Sequence, residues 1–122
     1  MKIDFHIKDV VITSKQKATF EKKLSKLKKY IKDDAAKIDV FFKDESSAEK
    51  GGVDQAVELS MIFHGQKVFV REVDDRLQRA FAYAFQSFDR QISRIHNKII
   101  EKSHEGSDWY ITRALKALRI KK

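Results

Sequence analysis

Between Asp74 and Lys102 the chain holds neither proline nor glycine, and this stretch limits the possible folds more than any other. Its apolar residues fall at Leu77, Phe81, Ala84, Phe85, Phe88, Ile92, Ile95 and Ile99. That i, i+3, i+4, i+7 recurrence is one face of an α-helix. At about 100° per residue the side chains merge into one broad stripe. Arg76, Arg79, Tyr83, Arg90, Arg94 and Lys98 project to the opposite side. A helix of this length runs roughly 43 Å. One side of it must be covered by apolar surface, and the other is a row of cations facing solvent or a partner.

The rest of the chain supplies the cover. Lys2 to Ile7 alternates, with Ile3, Phe5 and Ile7 on one face, which predicts a half-buried strand. Thr13 stands three residues before Gln16, the spacing of a capping box, and Ile12 ahead of it suits a hydrophobic staple. A first helix is expected from about Ser14 to Ile31, with Phe20, Leu24, Leu27 and Ile31 inward. Lys15, Lys22, Lys26 and Lys29 then lie directly opposite, with Lys23 on a flank. A solvated helix usually mixes signs at i, i+4, and here Glu21 is almost the only relief. Like charges such as Lys22 and Lys26 cost a few tenths of a kcal/mol, so the face is a candidate for an external anion.

Further strands are expected over Lys37–Lys43, Ala56–Phe63 and Lys67–Glu72, the last two joined as an antiparallel hairpin through His64-Gly65-Gln66. Residues 44–55, polar and small, read as a flexible loop and lack the glycine spacing and Gly-Lys-Ser/Thr of a phosphate loop. Asp74 or Asp75 is expected to cap the long helix. The order is β-α-β-β-β-α. Neither helix can bury its stripe except on the sheet, so the fold class is α+β: a four-stranded sheet with two roughly parallel helices on one face. Their polar sides then point outward together. Residues 1–103 form this domain. Residues 104–122 make a basic tail with Trp109, Ile111, Ala114, Leu115 and Leu118, a short helix or a disordered segment.

A chain of 122 residues suggests one domain able to bury a core. It has no cysteine, which removes disulfides and cysteine-ligated zinc. The N-terminus is not a signal peptide and no stretch is long enough to span a bilayer, so a cytoplasmic protein without a membrane partner is expected. The formal charge of +8 draws polyanions, nucleic acid first. His6, His64, His96 and His104 show no metal-binding spacing, and His96 reads as structural or RNA-adjacent. There is no nucleophile elbow, dinucleotide fingerprint or conspicuous carboxylate pair. No enzyme activity, cofactor or small-molecule substrate is expected. Among nucleic-acid modules, the GXXG loop of a KH domain and the RNP pattern of an RRM are missing. A double-stranded-RNA-binding domain also sets helices on one sheet face, but Val73-Asp74-Asp75 is an acidic place for a phosphate.

The element order and several residues together resemble a known family. Over about residues 2–102 the chain is similar to the short ribosome hibernation-promoting factors and ribosome-associated inhibitors of bacteria. The likeness rests on Val11-Ile12-Thr13, Lys26-Leu27, Lys29-Tyr30, the start at Asp75, and Asp89-Arg90-Gln91-Ile92 with Arg94 and Lys98. The resemblance implies a factor, monomeric off the ribosome, that binds the small ribosomal subunit in stress or stationary phase. It would sit in the channel of mRNA and the A- and P-site tRNAs and stop initiation. It implies rRNA contacts by Lys23, Lys26, Lys29, Arg90, Arg94 and Lys98, to which the helical projection adds Lys22 and Arg79. The family often has an aromatic where this chain has Leu77 and a lysine where it has Ser87. The residues leave two other readings, a double-stranded-RNA binder and a protein-interaction module, both acting off the ribosome.

Overall fold

The computed structural model describes residues 1–45 and 54–103. Its elements are β1 (Lys2–Lys8), α1 (Ser14–Ser25), a 3₁₀ turn (Lys26–Lys29), β2 (Lys37–Asp44), β3 (Gln55–Phe63), β4 (Gln66–Asp74) and α2 (Leu77–Ser103). The order β-α-β-β-β-α is the expected one. The expected loop over residues 44–55 lies mostly, and the tail 104–122 wholly, outside the described residues. Two compact units divide inside α2, Met1–Ile92 and Ser93–Lys122.

The strands lie in the order β1-β2-β3-β4. β1 pairs parallel with β2, and the other two pairs are antiparallel. A parallel pair needs a crossover, and α1 supplies it. Thr13 starts α1 as the spacing predicts: its hydroxyl accepts from the Gln16 amide at 3.1 Å, and the Gln16 carboxamide accepts from the Thr13 amide at 3.0 Å. The α-helix stops at Ser25, six residues short of expectation, and tightens into the 3₁₀ turn. Helices commonly end this way, because i→i+3 bonds satisfy carbonyls that the α pattern leaves open.

The hairpin turn is shorter than expected, only His64 and Gly65, both at positive φ (50° and 76°). Such a mirror-image turn matches the twist of the flanking strands. Glycine adopts that conformation freely and histidine tolerates it.

Register fixes two faces. Phe5 stands beside Val40, Val40 opposite Leu59, and Leu59 opposite Val70. Ile38, Val40, Phe42, Val57, Leu59, Met61, Val68 and Val70 are all buried on that side. Phe20 of α1, Phe42 of β2 and Phe81 of α2 meet ring to ring, with centroids 4.3–6.4 Å apart. Both helices therefore cover the same face. β4 runs parallel to β1, so α1 and α2, each turning back from those strands, run in the same sense.

Candidate nucleic-acid interface

From Ser14 to Lys29 the chain carries seven lysines and one carboxylate, Glu21. Burying Phe20, Leu24 and Leu27 turns the lysines away from the core. Lys22, Lys26 and Lys29 are exposed and Lys23 is half-buried. Among the described residues, none of these seven lysines forms an ion pair. The 3₁₀ turn changes one relation that an α-helical projection implies. Side chains at i and i+3 eclipse in a 3₁₀ helix, so Lys26 and Lys29 stand one above the other. The Lys29 ammonium also lies 5.0 Å from the centroid of the Tyr30 ring.

On α2 the buried residues Ala80, Phe81, Ala84, Phe88 and Ile92 hold the helix to the sheet. Arg79, Tyr83 and Arg90 are exposed on its other side. A cleft of about 240 Å³ between the first turns of the helices is lined by Lys15, Gln16, Thr19, Phe20 and Gln78. Arg94 and Lys98, in the unit Ser93–Lys122, are both exposed, while Ile95 and Ile99 are half-buried.

Arg79 is already engaged by a carboxylate. Its Nε lies 3.7 Å from Asp74 Oδ1. That same oxygen accepts the Arg76 amide at 3.1 Å. Asp74 therefore closes a turn just ahead of α2 instead of bonding into its first turn. Its carboxyl is held below the usual carboxylate range, first by a hydrogen bond with the Asp75 side chain, then by the Arg76 amide and the charge of Arg79. The pairing was legible only as an acidic helix start.

The uncovered sheet face is organised differently. By register it displays Lys2, Lys8, Lys37, Lys43, Lys67 and Arg71 against Asp4, Asp39 and Glu58. Most of these charges are tied to one another. Lys37 Nζ lies 3.6 Å from both Asp4 and Asp39, Lys43 is 3.5 Å from Glu58, and Arg71 is 3.3 Å from Glu58. Arg71 also bonds Glu45, and this contact first, then Glu58, raises its pKa. Between the charges lie Phe41, stacked on His6 at 4.5 Å, and the exposed Ile62, Phe69 and Val73.

One cluster on this face escaped reasoning from linear spacing. Donor atoms of Asp4, His6 and Asp39 fall within 4.8 Å of one another, with His6 Nε2 3.0 Å from Asp39 Oδ1. Only the parallel register of β1 on β2 brings them together. The Lys37 ammonium already serves as the cation between the two carboxylates. No helix among the described residues is long and apolar enough to cross a membrane.

Comparison with known proteins agrees with this architecture. None of the curated proteins compared matches the chain. The N-terminal domain of Thermus thermophilus Protein Y superposes with a TM-score of 0.64 at 24% identity, covering 78% of this chain and 99% of that one. A ribosomal subunit interface protein from Coxiella burnetii superposes with a TM-score of 0.60 at 17% identity, covering 78% and 97%. At these identities the likeness establishes the fold. The family model described as "Sigma 54 modulation protein / S30EA ribosomal protein" matches residues 3–100, nearly all of the β-α-β-β-β-α unit. The chain thus belongs to the sigma 54 modulation protein / S30EA ribosomal protein family, a family of ribosome-associated proteins, in agreement with the resemblance read from its residues.

Proposed function

We propose that the protein is a hibernation factor that binds the small ribosomal subunit through the basic sides of its two helices. There it sterically closes the channel of mRNA and the A- and P-site tRNAs under stress or in stationary phase. The observation that carries this reading is the run of exposed lysines on α1 and its 3₁₀ turn, which no carboxylate pairs among the described residues. Folding tolerates their mutual repulsion, and rRNA phosphates relieve it. Family membership favours the ribosome over other polyanions.

The assigned contacts are Lys22, Lys23, Lys26, Lys29, Arg79 and Arg90 in the first unit, with Arg94 and Lys98 contributing from the second. Arg79 contributes less than the lysines of α1 and its turn, because Asp74 already holds it. Phosphate contacts position a protein without reading sequence, which suits a plug recognising a structured RNA channel. The mechanism needs no chemistry: the protein acts as a non-enzymatic, cytoplasmic monomer that occupies space.

The test is co-sedimentation with small subunits on sucrose gradients at two salt concentrations. The wild type is expected to bind, with affinity falling steeply as salt rises. A Lys26→Glu/Arg90→Glu/Arg94→Glu variant is expected to fold normally and to stay at the top of the gradient. Unchanged co-sedimentation of that variant would refute the proposal.

A further inference from the structure

The side of the sheet that the helices leave bare carries aromatic rings beside cations, and the proposed function leaves this surface unused. Phe69 on β4 is 45% exposed, although β4 also contributes the buried Val68 and Val70 to the core. The Lys67 ammonium lies 5.9 Å from its ring centroid. Phe41 on β2 lies nearly flat on the His6 ring, with centroids 4.5 Å apart and planes 15° from parallel. Lys43 lies 5.9 Å from the Phe41 centroid. Phe41 and Phe69 are two strands apart and offset by two residues, since Phe41 faces Glu58 and Phe69 faces Ser60, a separation of about 12 Å.

We infer that this open face is a stacking platform for unpaired bases of single-stranded RNA, a second binding surface on the back of the molecule. Two ring sites on a twisted sheet accept the flat faces of bases, and base–aromatic stacking tolerates any sequence. Lys67, which no carboxylate pairs among the described residues, stands beside the Phe69 ring where an adjoining phosphate passes. The face carries six cationic side chains against Asp4, Asp39, Glu58 and the Glu45 that Arg71 holds, a surplus that complements a polyanion. Half of these cations, Lys37, Lys43 and Arg71, already hold carboxylates, so fewer counterions are released on binding than at a surface of unpaired lysines. The rings supply most of the affinity, and binding here depends less on salt than binding through the helix lysines. A protein partner would also value Phe69, but as apolar area and not as a ring, and that difference can be measured. The inference does not depend on the ribosomal reading, because it uses none of the helix-borne residues.

The experiment is fluorescence anisotropy on the full chain with two labelled probes. One is an unstructured single-stranded RNA of mixed sequence, and the other is an abasic oligonucleotide of the same length. The background is the Lys26→Glu/Arg90→Glu/Arg94→Glu variant, so that binding through the helices is suppressed. The base-bearing probe is expected to bind and the abasic probe to bind far more weakly. Adding Phe69→Leu, which keeps an apolar side chain, is expected to weaken RNA binding about tenfold. Adding Phe69→Tyr, which keeps the ring, is expected to preserve it. Equal binding of both probes, loss of all binding in the background variant, or equal affinity of the Leu and Tyr variants would each overturn the inference. Failure of the ribosomal reading registers elsewhere, as continued co-sedimentation of the background variant with small subunits.

Discussion

The two sides of the sheet treat their positive charges in opposite ways. On the bare side Lys37, Lys43 and Arg71 are held at 3.3–3.6 Å from Asp4, Asp39 and Glu58. On the covered side the helices present exposed lysines with no carboxylate paired to them among the described residues. Seven lysines face the single carboxylate Glu21 on α1 and its turn, whereas six cations meet Asp4, Asp39, Glu58 and Glu45 on the bare side. What separates them is whether a charge has already found its counter-charge within the fold. Exposed ion pairs contribute little to stability, but they reduce what a cation has left to offer a phosphate. An unpaired cation beside others of its kind is under repulsion that a polyanion removes.

The largest expected effect breaks the contrast directly. If roughly six phosphates are neutralised by the helices, raising salt from 50 to 200 mM should weaken ribosome binding about a thousandfold. Reversing Lys26, Arg90 and Arg94 should abolish it, whereas reversing Lys2, Lys8 and Lys67 on the bare side should leave most of it intact. Gradient co-sedimentation reads both outcomes. A second pair of substitutions sharpens the contrast in stability. Phe42→Ala removes the fully buried ring that both helices rest on and should cost about 3–5 kcal/mol in urea denaturation. Phe69→Ala, on the opposite side, should stay within about 0.5 kcal/mol.

Thr13→Ala opens the capping box that starts the lysine-bearing helix and should cost about 1 kcal/mol by the same measurement. The smallest effect concerns Asp74, whose carboxyl is held below its ordinary range by Asp75, Arg76 and Arg79. A lowered folded pKa contributes stability that is present above the unfolded value and lost as pH falls through the folded one. Asp74→Asn should therefore lower the denaturation midpoint slightly at neutral pH, and the two proteins should converge in acid. A gap that widened in acid would contradict the assigned sign. In the ribosome assay Arg79→Ala should matter less than Lys26→Ala, since Arg79 is already occupied.

Periodicity made most of the fold legible, because each element has one wet and one dry side. The spacing named the buried Phe20, Leu24, Leu27, Phe81, Ala84, Phe88 and Ile92, but it missed the buried Ala80 and included Leu77, Phe85, Ile95 and Ile99, which are half-buried. Thr13 and Gln16 located the first helix start to the residue. The 3₁₀ turn was hidden, because Leu24, Leu27 and Ile31 satisfy the α-helical spacing equally well. Strand order was hidden too, since alternation gives a strand its faces and not its neighbours. That is why Asp4, His6 and Asp39 met unannounced, and why the neighbours of Phe69 emerged only with the register. For the interface, residue types and spacing named the cations. Which of them a neighbouring carboxylate takes up, as Asp74 takes up Arg79, depends on turn geometry that no periodic pattern encodes.

The tight reversal at His64 and Gly65 has a consequence beyond joining β3 to β4. It fixes odd and even along β4. Strand side chains alternate with a period of two, so a shift of one residue would exchange wet and dry for every position that follows. Val68 and Val70 would then meet water, while Lys67, Phe69 and Arg71 would be driven toward Leu59 and Met61. The assignment of one side to aromatic rings and the other to the oily floor under the helices thus rests, for this strand, on the count of two residues at a bend far from either.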